Sequence, residues 1–175
     1  DAAALTVAGT DAGVASLFEQ CGVLRANTVS QLFSLARAFA SQPLPAGRRV
    51  AILTNAGGPG IMATDAAIHF GLEVASLTPA TTATLRAALP KEASVQNPVD
   101  TIATAGPDAF RRCSEALLAD PGVDALIAIY VAPVTINAPE VARAVVEGVV
   151  AGRLRGGEGK PVLGCFMGKQ SDHDG

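Results

Sequence analysis

The chain has 175 residues, 49% hydrophobic and 17% charged, a balance that suits one ordinary domain with a sizeable core and excludes an intrinsically disordered chain. Its 16 acidic and 13 basic residues give a formal charge of -3 with no basic cluster, so no nucleic-acid partner is expected. No apolar run reaches the roughly 20 residues of a membrane span, and the first residues lack a basic segment leading into an apolar one, so a cytoplasmic protein with no membrane partner is expected.

Taken in chain order, residues 11–42 carry two helical patterns, around 14–21 and over 30–40, which end before the linker Pro43-Leu44-Pro45-Ala46-Gly47. Residues 1–47 therefore read as an N-terminal helical appendage and linker. The run 48–55, Arg-Arg-Val-Ala-Ile-Leu-Thr-Asn, is short, apolar and closed by a Gly/Pro cluster, as in a parallel strand buried on both faces. A helix follows from the cluster to Gly71, then a short strand over 72–76. Thr78-Pro79 supplies an N-cap and a proline at the first helical position for a helix reaching about Leu89.

Gly106-Pro107-Asp108 opens a further helix, in which Phe110, Cys113 and Leu117 share a face, and Asp120-Pro121-Gly122 closes it. The run 124–131 is continuous and rich in β-branched residues, which predicts a central strand. Residues 137–151 are helical, with Val141, Val145 and Val149 at four-residue intervals, and 161–166 make the last strand. Alternating strands and helices without hairpin turns predict a flavodoxin-like, doubly wound α/β domain over 48–169, with a mainly parallel five-stranded sheet in the order 2-1-3-4-5. Residues 170–175 read as a polar tail.

Cys21, Cys113 and Cys165 are odd in number and far apart, which points to neither a disulfide framework nor a zinc site; all three are expected as buried thiols. His69 falls near a helix C-terminus, where it suits the dipole, and Asp65 near a helix start for the same reason. His173 and Lys169 read as solvated tail residues, and Arg111 with Arg112 as a solvated helix face.

Ligands in open α/β sheets bind beyond the carboxyl ends of the strands, so the glycine-rich turn leaving the first strand is the leading site candidate. Asn55, Ala56, Gly57, Gly58, Pro59 and Gly60 form this turn. Its glycines are expected to adopt backbone angles closed to other residues and to aim main-chain N–H groups at an anion or phosphoryl group on the positive end of the following helix. The plain alternative is that glycine is needed only to turn, since neither a Walker lysine nor a dinucleotide fingerprint is present.

The block 49–66, Arg-Val-Ala-Ile-Leu-Thr-Asn-Ala-Gly-Gly-Pro-Gly-Ile-Met-Ala-Thr-Asp-Ala, resembles the signature block of NDP-forming acyl-CoA synthetases, of which ADP-forming acetate-CoA ligase is the type member. It is more distantly similar to the glycine-rich turn in the carboxyl-terminal domain of the succinyl-CoA synthetase β subunit. Leu89-Pro90 with Glu92-Ala93-Ser94, then Asn97-Pro98-Val99-Asp100, then the segment from Asp120, and finally Lys160-Pro161-Val162 with Met167-Gly168, resemble the family's later blocks in order.

The resemblance implies a reaction in which a carboxylic acid, coenzyme A and ATP give acyl-CoA, ADP and phosphate through acyl phosphate and phosphohistidine. In it, the helix opening at the glycine turn cradles the phosphoryl group; Asn97 and Asp100 are candidates to support it, the plain alternative being a local turn initiated by Asn97-Pro98. It further implies that this domain binds no cofactor alone, that CoA, ATP and Mg2+ serve the full-length enzyme, and that a CoA-binding Rossmann domain and an ATP-grasp domain act as partners with a small carboxylic acid as substrate. Counting back without a gap from Ala8-Gly9-Thr10-Asp11 puts Ala3 at the family's phosphohistidine position, so that histidine is either replaced by Ala3 or outside the chain. The alternative that this opens is a non-catalytic, synthetase-like regulatory or binding domain of a protein lysine acyltransferase. A phospho-receiver domain would need an acidic pair where Asn55-Ala56 stands, and an FMN site would need more aromatic rings than one Tyr, no Trp and 6 Phe provide.

Overall fold

Two apolar runs rich in β-branched residues lie side by side at the centre of a parallel sheet, and the rest of the domain is arranged around that pair. A computed structural model describes residues 11–132 and 138–167. The chain divides into two compact units, Asp1–Ser41 and Gln42–Gly175.

In the first unit, α1 (Asp11–Gln20) ends in a turn through Gly22, whose φ of 68° favours glycine. α2 (Val29–Ser41) is opened by Thr28, whose hydroxyl accepts the Gln31 N–H, while the Gln31 side chain accepts the Asn27 N–H. α2 buries none of its residues.

The second unit contains β1 (Arg49–Thr54), α3 (Gly57–His69), β2 (Glu73–Val74), α4 (Pro79–Ala88), β3 (Val99–Asp100), α5 (Pro107–Ala119), β4 (Ala125–Val131), α6 (Ala138–Gly152) and β5 (Val162–Met167). Every ladder is parallel, and the sheet order is β2-β1-β4-β5, with β3 also paired to β1. The doubly wound parallel sheet is therefore as expected, but β3 does not stand between β1 and β4. β2 pairs with Arg49 and Val50, β3 pairs with Leu53 and Thr54, and the two lie end to end along one edge of β1. Each is two residues long and pairs with two of the six residues of β1, whereas β4 matches β1 from Val50 to Thr54 along the other edge.

Asn97 fills the gap between the two short strands. Its side-chain oxygen accepts the Ile52 N–H at 2.9 Å, and its amide nitrogen donates to the carbonyls of Val50 at 2.8 Å and Ala75 at 3.0 Å. The side chain thus supplies the ladder bonds that a longer strand would have made, and β1 has partners along both edges.

α4, α5 and α6 cover one face, where Leu53, Leu126 and Tyr130 meet Leu85, Phe110, Leu117 and Val141. α3 packs on the other face, with Ala67 against Val50, Ile52 and Ile129. Gly148 and Gly152 bring α6 close to α5, because a β-carbon at either would press on the backbone of Arg111 or Glu115.

Of the three cysteines only Cys113 is buried, and burial pushes its thiol up to about 12. Cys21 and Cys165 are exposed, contrary to the expectation of three buried thiols. Cys165 stands in register with Ile129 on the outer strand, on the face that α3 shares, and Leu163 and Met167 beside it are also exposed. An apolar strand pattern specifies alternating faces but not whether an outer strand is covered.

At the opposite end of the sheet from the glycine turn, Arg49 grips Asp124 through Nε–Oδ2 at 2.9 Å and Nη2–Oδ1 at 2.7 Å, and its backbone N–H donates to the same carboxylate. The Arg49 hydrogen bond holds the Asp124 carboxyl below the usual range against the opposing effect of burial. Burial raises the Asp120 carboxyl, but hydrogen bonds from Thr81, Thr78 and Gly122 outweigh it and leave the group lowered. Groups with a depressed folded-state pKa contribute stability above the unfolded value of about 4 and lose it as pH falls further. Unfolding free energy is therefore expected to drop below about pH 4. Asp124→Asn should be less stable at pH 7 and show a flatter decline between pH 7 and pH 3 in urea titrations.

Candidate functional site

β1 and β4 are neighbours, yet the chain leaves β1 toward β2 on one side and leaves β4 toward β5 on the other. The crevice above their carboxyl ends is the switch point where this architecture offers a ligand site. Asn55 closes the floor of that crevice. It is only 3% exposed, its amide nitrogen donates to the Val131 carbonyl at 2.9 Å, and its oxygen accepts the Val131 N–H at 2.8 Å. The Asn55 side chain thus joins the ends of the two central strands.

Thr54 shapes the next step. Its hydroxyl accepts the Ala56 N–H at 3.1 Å, and its carbonyl accepts both the N–H and the hydroxyl of Thr101, at 2.8 and 3.1 Å. Ala56 is the N-cap of α3, extended at φ -146° and ψ 120°, and no side chain caps the helix. The first intrahelical bond runs from the Gly60 N–H to the Ala56 carbonyl, and Pro59 has no N–H. The N–H groups of Gly57 and Gly58 thus precede that bond, uncapped, at the positive end of α3.

None of the three glycines has a positive φ, contrary to expectation. A β-carbon on Gly60 would come within 3.0 Å of Thr54 Cγ2, so this buried glycine lets α3 approach the sheet. Around Gly58 a β-carbon would meet nothing within 4 Å, and the residue is exposed. On Gly57 it would meet Asp100 Oδ2 at 3.4 Å.

Asp100 therefore does border the turn, at the end of β3. Its Oδ1 accepts the Ile102 N–H at 2.9 Å, and Ile102 itself takes φ 64°, an unusual angle for a β-branched residue. Ala56, Gly57, Gly58, Pro59, Gly60 and Asp100 are brought together, whereas Asn97 is committed to the sheet edge. Ala3, Lys169 and His173 lie outside the described residues, as does 133–137, the connection that leaves β4. His69 ends α3 exposed and packs edge-on against Phe70 at 5.1 Å. Thr54, Thr101 and Ile102 were missed by the sequence reading, because a threonine in a strand carries no signal that distinguishes a turn-holding hydroxyl from a solvated one. Among the described residues no group of three or more His, Cys, Asp or Glu is placed to hold a metal ion, and no helix is long and apolar enough to cross a membrane.

Residues 50–173 match the model of the Ligase-CoA domain. The chain belongs to the Ligase-CoA domain family. It is 47% identical over 150 residues to the alpha subunit of ADP-forming acetate-CoA ligase II of Pyrococcus furiosus, a match that covers 86% of this chain and 32% of that subunit. Over 139 residues it is 32% identical to the ADP-forming 4-hydroxybutyrate-CoA ligase of Nitrosopumilus maritimus, covering 79% of this chain and 20% of the relative. Among solved structures, a protein of Pyrococcus horikoshii OT3 superimposes with a TM-score of 0.81 at 44% identity over 93% of this chain and 37% of its own. The dinucleotide-forming acetyl-coenzyme A synthetase 1 of Ca. Korarchaeum cryptofilum, solved with phosphate and ADP, does so with a TM-score of 0.79 at 31% identity over 93% and 34%. The Ligase-CoA domain described here thus spans about a third or less of the length of these relatives.

Because Asn55 satisfies two backbone groups at once, its truncation leaves both without a partner. Asn55→Ala is expected to cost about 2–3 kcal/mol in urea unfolding, while Asn55→Asp, which keeps the acceptor and loses the donor, should cost a similar amount at neutral pH.

Proposed function

We propose that this chain is a phosphoryl-holding domain of an NDP-forming acyl-CoA synthetase working in the cytoplasm, with the N-terminus of α3 as the cradle. The observation that carries this reading is the uncapped first turn of α3, open at Gly58, above the crevice between β1 and β4. Backbone N–H donors there are fixed by the sheet beneath them, so they need no reorganisation to meet a charged oxygen. Support comes from the relatives, which are named as ADP-forming CoA ligases, and from a structural neighbour solved with phosphate and ADP.

In the reaction, ATP phosphorylates an enzyme histidine and leaves as ADP. The phosphoryl group passes from that histidine to a carboxylate oxygen, giving an acyl phosphate. The sulfur of coenzyme A then attacks the acyl carbon and inorganic phosphate departs. The contribution of this domain is to offset phosphoryl charge with the amides of Gly57 and Gly58 while the group waits between steps. A CoA-binding Rossmann domain, an ATP-grasp domain and Mg2+ belong to the rest of the enzyme, on the same polypeptide or a partner subunit, and a small carboxylic acid is the substrate.

The direct check is titration of inorganic phosphate into the 175-residue chain, followed at the backbone amides of Gly57 and Gly58 by NMR. Binding at those amides is expected, and Gly58→Leu should weaken it by about tenfold or more. The circular dichroism spectrum should stay unchanged, since a side chain at Gly58 enters open space. Equal phosphate affinity in the folded Gly58→Leu protein would remove the turn from the site. In the intact synthetase the same substitution should slow ADP release that depends on both coenzyme A and a carboxylic acid.

A further inference from the structure

We propose that Asp100 sets how tightly the α3 cradle holds a phosphoryl group, as a resident negative charge competing for the same helix end. This rests on the cradle reading above and adds to it a residue whose effect opposes that of the amides.

Asp100 is placed by β3, whose pairing puts it in register with Thr54, and by Thr101, which is bonded twice to the Thr54 carbonyl just beyond. One carboxylate oxygen is held by the Ile102 N–H at 2.9 Å. The other faces the first turn of α3, 3.4 Å from where a β-carbon on Gly57 would stand. A carboxylate beside a helix N-terminus is favourable when that end is otherwise empty. A doubly charged phosphoryl group arriving at Gly57 and Gly58 meets this carboxylate as a like charge a few ångströms away, so part of the attraction from the amides is cancelled.

Such a cancellation suits a group in transit. Interactions that stabilise a waiting phosphoryl group as strongly as the transition state for its departure do nothing for the rate, and excess affinity would deepen the well it must leave. A helix end with amides alone is an anion trap; with a fixed carboxylate at its side it is a cradle that releases.

The test compares the wild-type 175-residue chain with Asp100→Asn, which preserves the acceptor for the Ile102 N–H and removes the charge. Inorganic phosphate and, separately, sulfate are titrated at pH 8 and followed at the Gly57 and Gly58 amides. Asp100→Asn is expected to bind both anions about three- to tenfold more tightly, while its melting temperature without anion falls slightly. A residue that merely supported the fold would give unchanged or weaker binding, and that result in a folded variant overturns the proposal. Asp100→Ser serves if Asp100→Asn does not fold, with the same expected sign. Absence of anion binding in both wild type and variant would sink the cradle reading and this inference together. Binding that is present in both and indifferent to Asp100 would sink this inference alone.

Discussion

Both edges of β1 are fully partnered, and the geometry of the crevice follows from that constraint. On one side β4 pairs along five positions; on the other, two short strands and the side chain of Asn97 share the work. A strand saturated in this way can neither slip in register nor accept a further neighbour, so the chain must leave it at a fixed point and in a fixed direction. Asn55 then ties that point to the end of β4. The result is a helix whose first amides are aimed by a rigid platform rather than by a loop of their own, which is what a preorganised electrostatic site requires.

The two ends of the sheet are built on different principles. At the end where β1 begins, charges are paired and engaged: Arg49 with Asp124, and the Lys160 ammonium on the carbonyls of Leu118 and Asp120. Their groups satisfy one another and offer little to a ligand. At the end where β1 finishes, the uncapped amides of Gly57 and Gly58 and one oxygen of Asp100 stand beside each other with solvent access. Paired charges thus stand at one pole of the domain and the uncapped helix end at the other.

Much of this architecture was legible in the sequence because the relevant signals are local. The apolar run at 49–54, the proline after Thr78, the Gly-Pro pair before α5 and the valines of α6 each act within a few residues of where they lie. What escaped was long-range. No local pattern distinguishes an asparagine that initiates a turn from one that completes the ladder of a strand 45 residues away, as Asn97 does with Ile52. The same holds for Asn55, whose partner Val131 is 76 residues on. The two residues of β3 carry too little hydrophobic pattern to specify which edge of β1 they join. Cys165 was read as core because its strand is apolar on both faces, although its outer position leaves the thiol exposed. The glycines of the turn do not take the left-handed backbone angles expected of them: a β-carbon at Gly60 would crowd Thr54, and one at Gly58 would meet open space.

The central claim is that the amides of Gly57 and Gly58 form the anion site of this domain. Crystals of the 175-residue chain soaked in selenate and measured at the selenium absorption edge would test it most directly. The account predicts an anomalous peak within hydrogen-bonding distance of both nitrogens, above the end of β1. Selenium bound only elsewhere on the surface, with that corner empty at saturating selenate, would contradict it.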